Sequence, residues 1–165
     1  MDIQKDLVAE YERETASTRK LLEAIPEDAD FSWKPHEKSM ALGRLAGHVA
    51  DTAGEWAVHT LTTDKLVWDP SMNVPPPTSK AQVLTGFDKR VGDAKPALEA
   101  MTPERWDSNW KFVAGEQAWI DDSKYNVWRI WVINHMIHHR AQLGVFLRVL
   151  GQKIPGMYGP SADEM

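Results

Sequence analysis

Apolar residues recur at helical spacing over most of the chain. In the first segment Leu7, Val8, Tyr11, Thr18, Leu21, Leu22 and Ile25 form one stripe, and Lys5, Glu10, Glu12, Arg19, Lys20 and Glu23 fall mostly off it. The pattern predicts a helix that Pro26 ends. A polar connector containing Pro35 follows, and Ser39 offers an N-cap for a second helix. That helix runs through Leu42, Leu45, His48, Val49, Thr52 and Trp56 to about Thr63. Residues 64–78 hold Pro70, Pro75, Pro76 and Pro77 and read as a surface connection. Ser79 with Gln82 matches a capping box and opens a third helix carrying Val83, Leu84, Phe87, Val91 and Leu98, which Pro96 should kink or end.

The stretch from Thr102 to Asp122 patterns least clearly. Thr102-Pro103-Glu104 fits another helix start, while Trp110, Phe112, Gln117 and Trp119 around Gly115 fit a short hairpin. The last helix is the plainest, from about Ser123 to Leu150 with Gly151 as its stop. Its stripe reads Trp128, Val132, His135, His139, Gln142, Phe146 and Leu150. Four amphipathic helices, two long crossover connections and no strand-rich block predict an all-α fold, a four-helix bundle.

The length of 165 residues fits a single domain over 1–165. With 42% apolar and 26% charged residues, the composition is that of a globular chain and not a disordered one. A net charge of −5 without a basic stripe argues against nucleic-acid binding, which needs phosphate neutralisation. The longest apolar run, Val127 to Ile133, is broken by Arg129 and spans no membrane. The N-terminus lacks the order of a secretory signal, so a cytoplasmic location is expected. There is no cysteine, which excludes disulfides, Cys-ligated zinc and a Cys nucleophile. Eight Trp residues suggest a core with large aromatic fillers.

Among six histidines, His135 and His139 stand four apart, on one helical face and about 6 Å from each other. Two imidazoles so placed can grip one divalent ion. His48, beside Leu45, Val49 and Thr52 on another helix, can be brought opposite them by helix packing. Spacing alone leaves two readings open: a three-histidine metal site, or core histidines with ordinary hydrogen bonds. His59 lies eleven residues beyond His48, roughly 16 Å along the axis, too far to share its ion. His138 is rotated about 100° from His139 and reads as a rim residue; His36, in a connector, reads as solvated. Asp51 and Glu55 follow His48 on nearby faces and can serve as ligand-orienting groups or bases, or as a solvated face. Gln142, three residues past His139, can orient a ligand or substrate. No H-E-x-x-H, phosphate loop or serine elbow is present.

His48 on the second helix and Asn134-His135-Met136-Ile137-His138-His139-Arg140-Ala141-Gln142 on the last resemble the DinB/YfiT-like metal-binding superfamily. The likeness extends to Phe31-Ser32-Trp33-Lys34-Pro35 with Ser39 to His48, and to the closing Ile154 to Glu164. Ala141 departs from the pattern, where many members have glycine. The resemblance implies a four-helix bundle with a long crossover, often a homodimer. It also implies a divalent metal, zinc or nickel, held by residues matching His48, His135 and His139. Characterised members include enzymes that use a low-molecular-weight thiol, such as bacillithiol transferases and mycothiol-dependent maleylpyruvate isomerases.

Three neutral imidazoles leave an open coordination position on an ion. A small-molecule thiol or water there becomes a nucleophile, and in a chain without cysteine any thiol is a cosubstrate. Metal-dependent transfer of a small thiol to an electrophile is thus the leading expectation, with metal-assisted hydrolysis second. The rivals are a non-catalytic metal-binding stress-response bundle, in which Glu55 closes the fourth position, and a partner-binding module using its Trp residues.

Overall fold

A computed structural model describes residues 2–165. Helix α1 (Ile3–Glu23) begins where the Asp2 carboxylate accepts from the Lys5 N–H, and it stops ahead of Pro26. Its buried face carries Leu7, Tyr11, Thr18, Leu21 and Leu22 as expected, and adds Glu14.

The single second helix expected from the pattern is in fact two, α2 (Leu42–Ala53) and α3 (Glu55–Thr62), broken at Gly54. Helix α4 (Lys80–Glu99) crosses there so closely that a Cβ on Gly54 would lie 2.1 Å from the Arg90 Cβ. Only glycine admits that approach. Ser39 is not the cap of α2. The N–H groups of Leu42 and Gly43 instead donate to the Trp33 and Phe31 carbonyls at 2.8 and 2.9 Å, so the folded-back connector satisfies the helix start.

Ser79 caps α4, accepting from the Gln82 N–H at 3.3 Å, and the Gln82 side chain returns to the Thr78 N–H at 2.8 Å. Pro96 does not end this helix. It lies on the exposed face within the last turn, so the one backbone bond it removes is lost at a solvent-facing position.

The chain is mostly helical, but the all-α class needs correction. A three-stranded sheet is built from β1 (Lys65–Val67), β2 (Asn109–Ala114) and β3 (Gln117–Ser123), in the order β1-β2-β3. The hairpin β2–β3 turns at Gly115, whose φ is +61°, as the aromatic pattern suggested. β1 lies within the stretch read as a plain connection and pairs in parallel with β2, Lys65 opposite Lys111. Three residues are too few to show a period of two, and the partner is far along the chain. Beneath the sheet Trp110, Ile120 and Val127 form a small second core, flanked by Trp56, Leu66 and Phe112. The short helix α5 (Pro103–Asp107) starts at Thr102, which caps the Arg105 N–H.

The last helix runs from the Ser123 cap to Gly151 (φ +74°) in three stretches: α6 (Lys124–Val127), a π-helical segment (Trp128–Asn134) and α7 (His135–Val149). Helices α1 and α2 each pack against both α4 and α7, enclosing the main core. Lys124 is fully buried and donates to the Thr60 carbonyl at 2.9 Å, with the Asp64 carboxylate at 3.2 Å, fastening the end of α3 to the last helix. No helix among the described residues is long and apolar enough to cross a membrane.

Candidate metal centre

The packing of α2 on α7 brings His48 against the first turn of α7, where His135 and His139 stand. Nε2 of His48 is 3.3 Å from Nε2 of His135. Ring centroids are 4.4 Å apart for His48 and His139, 5.0 Å for His48 and His135, and 4.7 Å for His135 and His139. One nitrogen from each ring falls within 4.8 Å of the others. The three histidines singled out in the sequence are thus one cluster, compatible with a single metal ion.

The π-helical segment explains how the pair is presented. A π turn adds a residue to the helical repeat, so the buried stripe shifts phase just before His135. The buried positions are Trp128, Val132 and Ile133 ahead of the shift, then Met136, His139, Arg140, Leu143 and Leu147. A uniform period had placed His135, His139, Gln142, Phe146 and Leu150 at the middle of that stripe. They lie instead along its edge: His135 is half-buried, His139 buried at 7% exposure, and Gln142 exposed. The cluster therefore sits where the core meets solvent.

Burial sets the charge state. Desolvation, reinforced by the charges of His139, His135 and Arg44, pushes the His48 pKa down to about 4. Desolvation also lowers His135 and His139, helped by neighbouring histidines and, for His139, opposed by its bond to Gln142. All three rings are then neutral near pH 7, the form a metal requires. Gln142 Oε1 lies 2.7 Å from His139 Nδ1, which puts the ring proton on Nδ1 and leaves the Nε2 lone pair free for an ion. Nδ1 of His135 is buried without a hydrogen-bond partner; the Trp131 carbonyl favours its protonated ring but misses bonding geometry. Neutral rings, converging nitrogens and one tautomer fixed from behind fit a divalent ion well.

This charge state has a consequence for stability. The folded chain holds these imidazoles below the usual 6.5, so the unfolded chain binds more protons as the pH falls. The contribution is complete above about pH 6.5 and drains away toward pH 4. Thermal melts of chelated protein are expected to show Tm falling between pH 7 and 5, with a shallower fall in His48→Gln. Equal slopes in the two proteins would contradict the assignment of the titration to this cluster.

Other expected groups are placed differently. Gln142 touches His139, as above, and its Nε2 lies 3.1 Å from His138 Nε2, making a chain that ends at an exposed ring. Asp51 and Glu55 are outside the cluster and face Arg90, at 3.2 and 3.7 Å. Burial raises the Asp51 pKa, against the pull of Arg90. His59 is on α3, away from the cluster, and His36 is exposed, its Nδ1 accepting from the Lys38 N–H.

The sequence pattern missed a buried ion pair beside His139. Arg140 pairs with Glu14 at 2.7 Å, and both meet the Tyr158 hydroxyl, at 2.7 Å from Arg140 and 2.9 Å from Glu14. The signal was present in the phase of Leu143 and Leu147, which puts position 140 on the buried face. The closing segment is folded back by Asp163, which pairs with Arg148 at 2.6 Å and accepts from the Ile154 N–H at 2.8 Å.

Known proteins share this architecture. A DinB-like protein of Bacillus cereus, 24% identical, superposes with a TM-score of 0.74 over 93% of this chain and 97% of its own. A DinB-like protein of Bacillus subtilis, YjoA, gives 0.69 at 19% identity over 97% and 99%. At these identities the likeness speaks for the fold. In sequence, the uncharacterised Bacillus subtilis protein YrdA is 27% identical over 155 residues, 93% of this chain and 87% of YrdA. The DinB family profile matches residues 1–165, the whole length that also carries the histidine cluster, and the chain belongs to the DinB family.

Proposed function

We propose that this chain, a single four-helix-bundle domain, is a divalent-metal-dependent enzyme that transfers a low-molecular-weight thiol to a small electrophile. His48, His135 and His139 are the ligands. The observation that carries the reading is a cluster of three imidazoles with no fourth protein ligand among the described residues. Structural zinc sites close with four ligands, and sites that do chemistry keep one position open. Glu55, the carboxylate of α3 that could close it, is engaged with Arg90.

A divalent ion held there supplies Lewis acidity, lowering the pKa of a thiol in the open position well below its free value near 8.5. The protein's own residues prepare that chemistry. Gln142 holds the His139 tautomer, burial keeps the rings neutral, and a cavity of about 290 Å³ opens beside His48 for a small molecule. The chain lacks cysteine, so the sulfur comes from solution.

The test is conjugation of a thiol panel to 1-chloro-2,4-dinitrobenzene, with carbon–sulfur bond formation and chloride release followed by absorbance. Turnover is expected with zinc or nickel, lost on chelation and restored by added ion. Equal rates with and without chelator across the panel would overturn the enzyme reading and favour a non-catalytic metal-binding bundle.

A further inference from the structure

The face of α2 that carries His48 continues as a charged stripe. Arg44, His48 and Asp51 follow one another at helical spacing, Glu55 opens α3 beyond the Gly54 break, and all four line one cavity, which His48 alone of the three histidines borders. The proline run Pro75–Pro77 forms the facing wall. It is seated hard on α2: a Cβ at Gly47 would lie 2.7 Å from Pro77 Cδ, and one at Gly43 would lie 2.5 Å from the Pro77 carbonyl. The wall is thereby fixed relative to Arg44 and His48, one residue further round the helix.

The two ends of the stripe differ in charge. Beyond His48, Asp51 and Glu55 are both matched to Arg90, at 3.2 and 3.7 Å. Before His48, Arg44 is exposed and makes no ion pair among the described residues. Among the described residues no carboxylate comes within pairing distance of it, although its charge also acts on Asp51, beyond His48 on the same helix. A guanidinium offers a planar fork of donors that matches a carboxylate. Arg44 and His48 are one helical turn apart, about 6 Å, a span that a short carbon chain bridges.

We infer that Arg44 is an anion-recognition group of this cavity and that the thiol used at the centre carries a carboxylate, seated on Arg44 while its sulfur reaches the three-histidine cluster. This rests on the thiol-transfer reading and adds a substrate class to it. It also separates the roles within the stripe: His48 serves the ion, Arg90 is shared by the two acids, and Arg44 selects the ligand.

The test uses cobalt-loaded protein titrated with 3-mercaptopropionate and with its methyl ester, following the sulfur-to-cobalt charge-transfer absorbance. In Arg44→Gln the affinity for the acid is expected to fall about tenfold, the scale of one charge-assisted hydrogen bond, while the ester binds as before. Arg44→Lys should restore part of the loss. Comparing each ligand across proteins cancels the intrinsic difference between the two thiols, and Arg44 is exposed, so the fold is spared. A parallel fall for both ligands, or for neither, overturns the role of Arg44 and leaves the thiol reading standing. No absorbance change with either thiol in the unaltered protein overturns the thiol reading and this inference together.

Discussion

Replacing His135 with alanine is expected to take the bound divalent ion from about one per chain to near none. Each ring supplies one nitrogen to a cluster that spans 4.8 Å, so removing one leaves two donors that no other described side chain joins. Loss of a mere outer partner weakens metal binding roughly 10–100-fold, and a ligand should exceed that. Gln142→Ala is accordingly expected to bind more weakly than the unaltered protein and more tightly than His135→Ala. Alanine is at home in a helix, and His135 is only half-buried, so the variant should fold. Elemental analysis after desalting gives the stoichiometry. Melting gives a second readout: zinc at a hundredfold over its Kd adds about 2.7 kcal/mol to stability, and that gain should vanish in the variant. His59→Ala, outside the cluster, should keep both. Full stoichiometry in His135→Ala would put the ion elsewhere and end the assignment.

Much of this histidine cluster was legible in the sequence because its parts are short-range. Two histidines four apart must share a helical face, and the segment around them reads as helix from cap to stop. His48 was placed by the stripe it shares with Leu45 and Val49, both buried. The failures have a common cause, which is interaction at a distance. The break at Gly54 answers to Arg90, thirty-six residues on. β1 exists because β2 lies beside it, and Lys65-Leu66-Val67 alone is indistinguishable from a connector. The Phe31 to Trp33 block carries a function no local rule assigns it, satisfying the start of α2 through backbone carbonyls. The π-helical segment displaced the stripe by one position, which moved Arg140 into the core and the histidines to its rim. A pattern phased on Leu143 and Leu147 would have exposed that shift, since it makes a charged residue the odd member of an apolar face.

That charged residue sets the second large expectation. Glu14→Ala should destabilise the protein by about 3–5 kcal/mol, the cost of stranding one partner of a buried ion pair. Arg140 is 2% exposed, and apart from Glu14 its guanidinium meets the Glu14 carbonyl at 3.0 Å, the Thr18 hydroxyl at 3.2 Å and the Tyr158 hydroxyl at 2.7 Å. None of these carries the negative charge that the carboxylate supplies. The Tyr158 hydroxyl donates to Glu14 at 2.9 Å and accepts from Arg140, closing the network from the C-terminal segment. Tyr158→Phe removes two hydrogen bonds, but from an exposed side chain and around an ion pair that stays intact, and should cost only about 1 kcal/mol. The double change Glu14→Leu with Arg140→Met leaves no charge stranded and should recover most of what Glu14→Ala loses. Urea unfolding of the three variants measures the series. Because Arg140 neighbours His139 on α7, the double variant should still bind one ion if the network supports the fold alone, and weaker binding at recovered stability would make it a positioning element of the centre. A loss below about 1 kcal/mol for Glu14→Ala would mean that water replaces the carboxylate, and that α1 and α7 are held together by their apolar contacts without this pair.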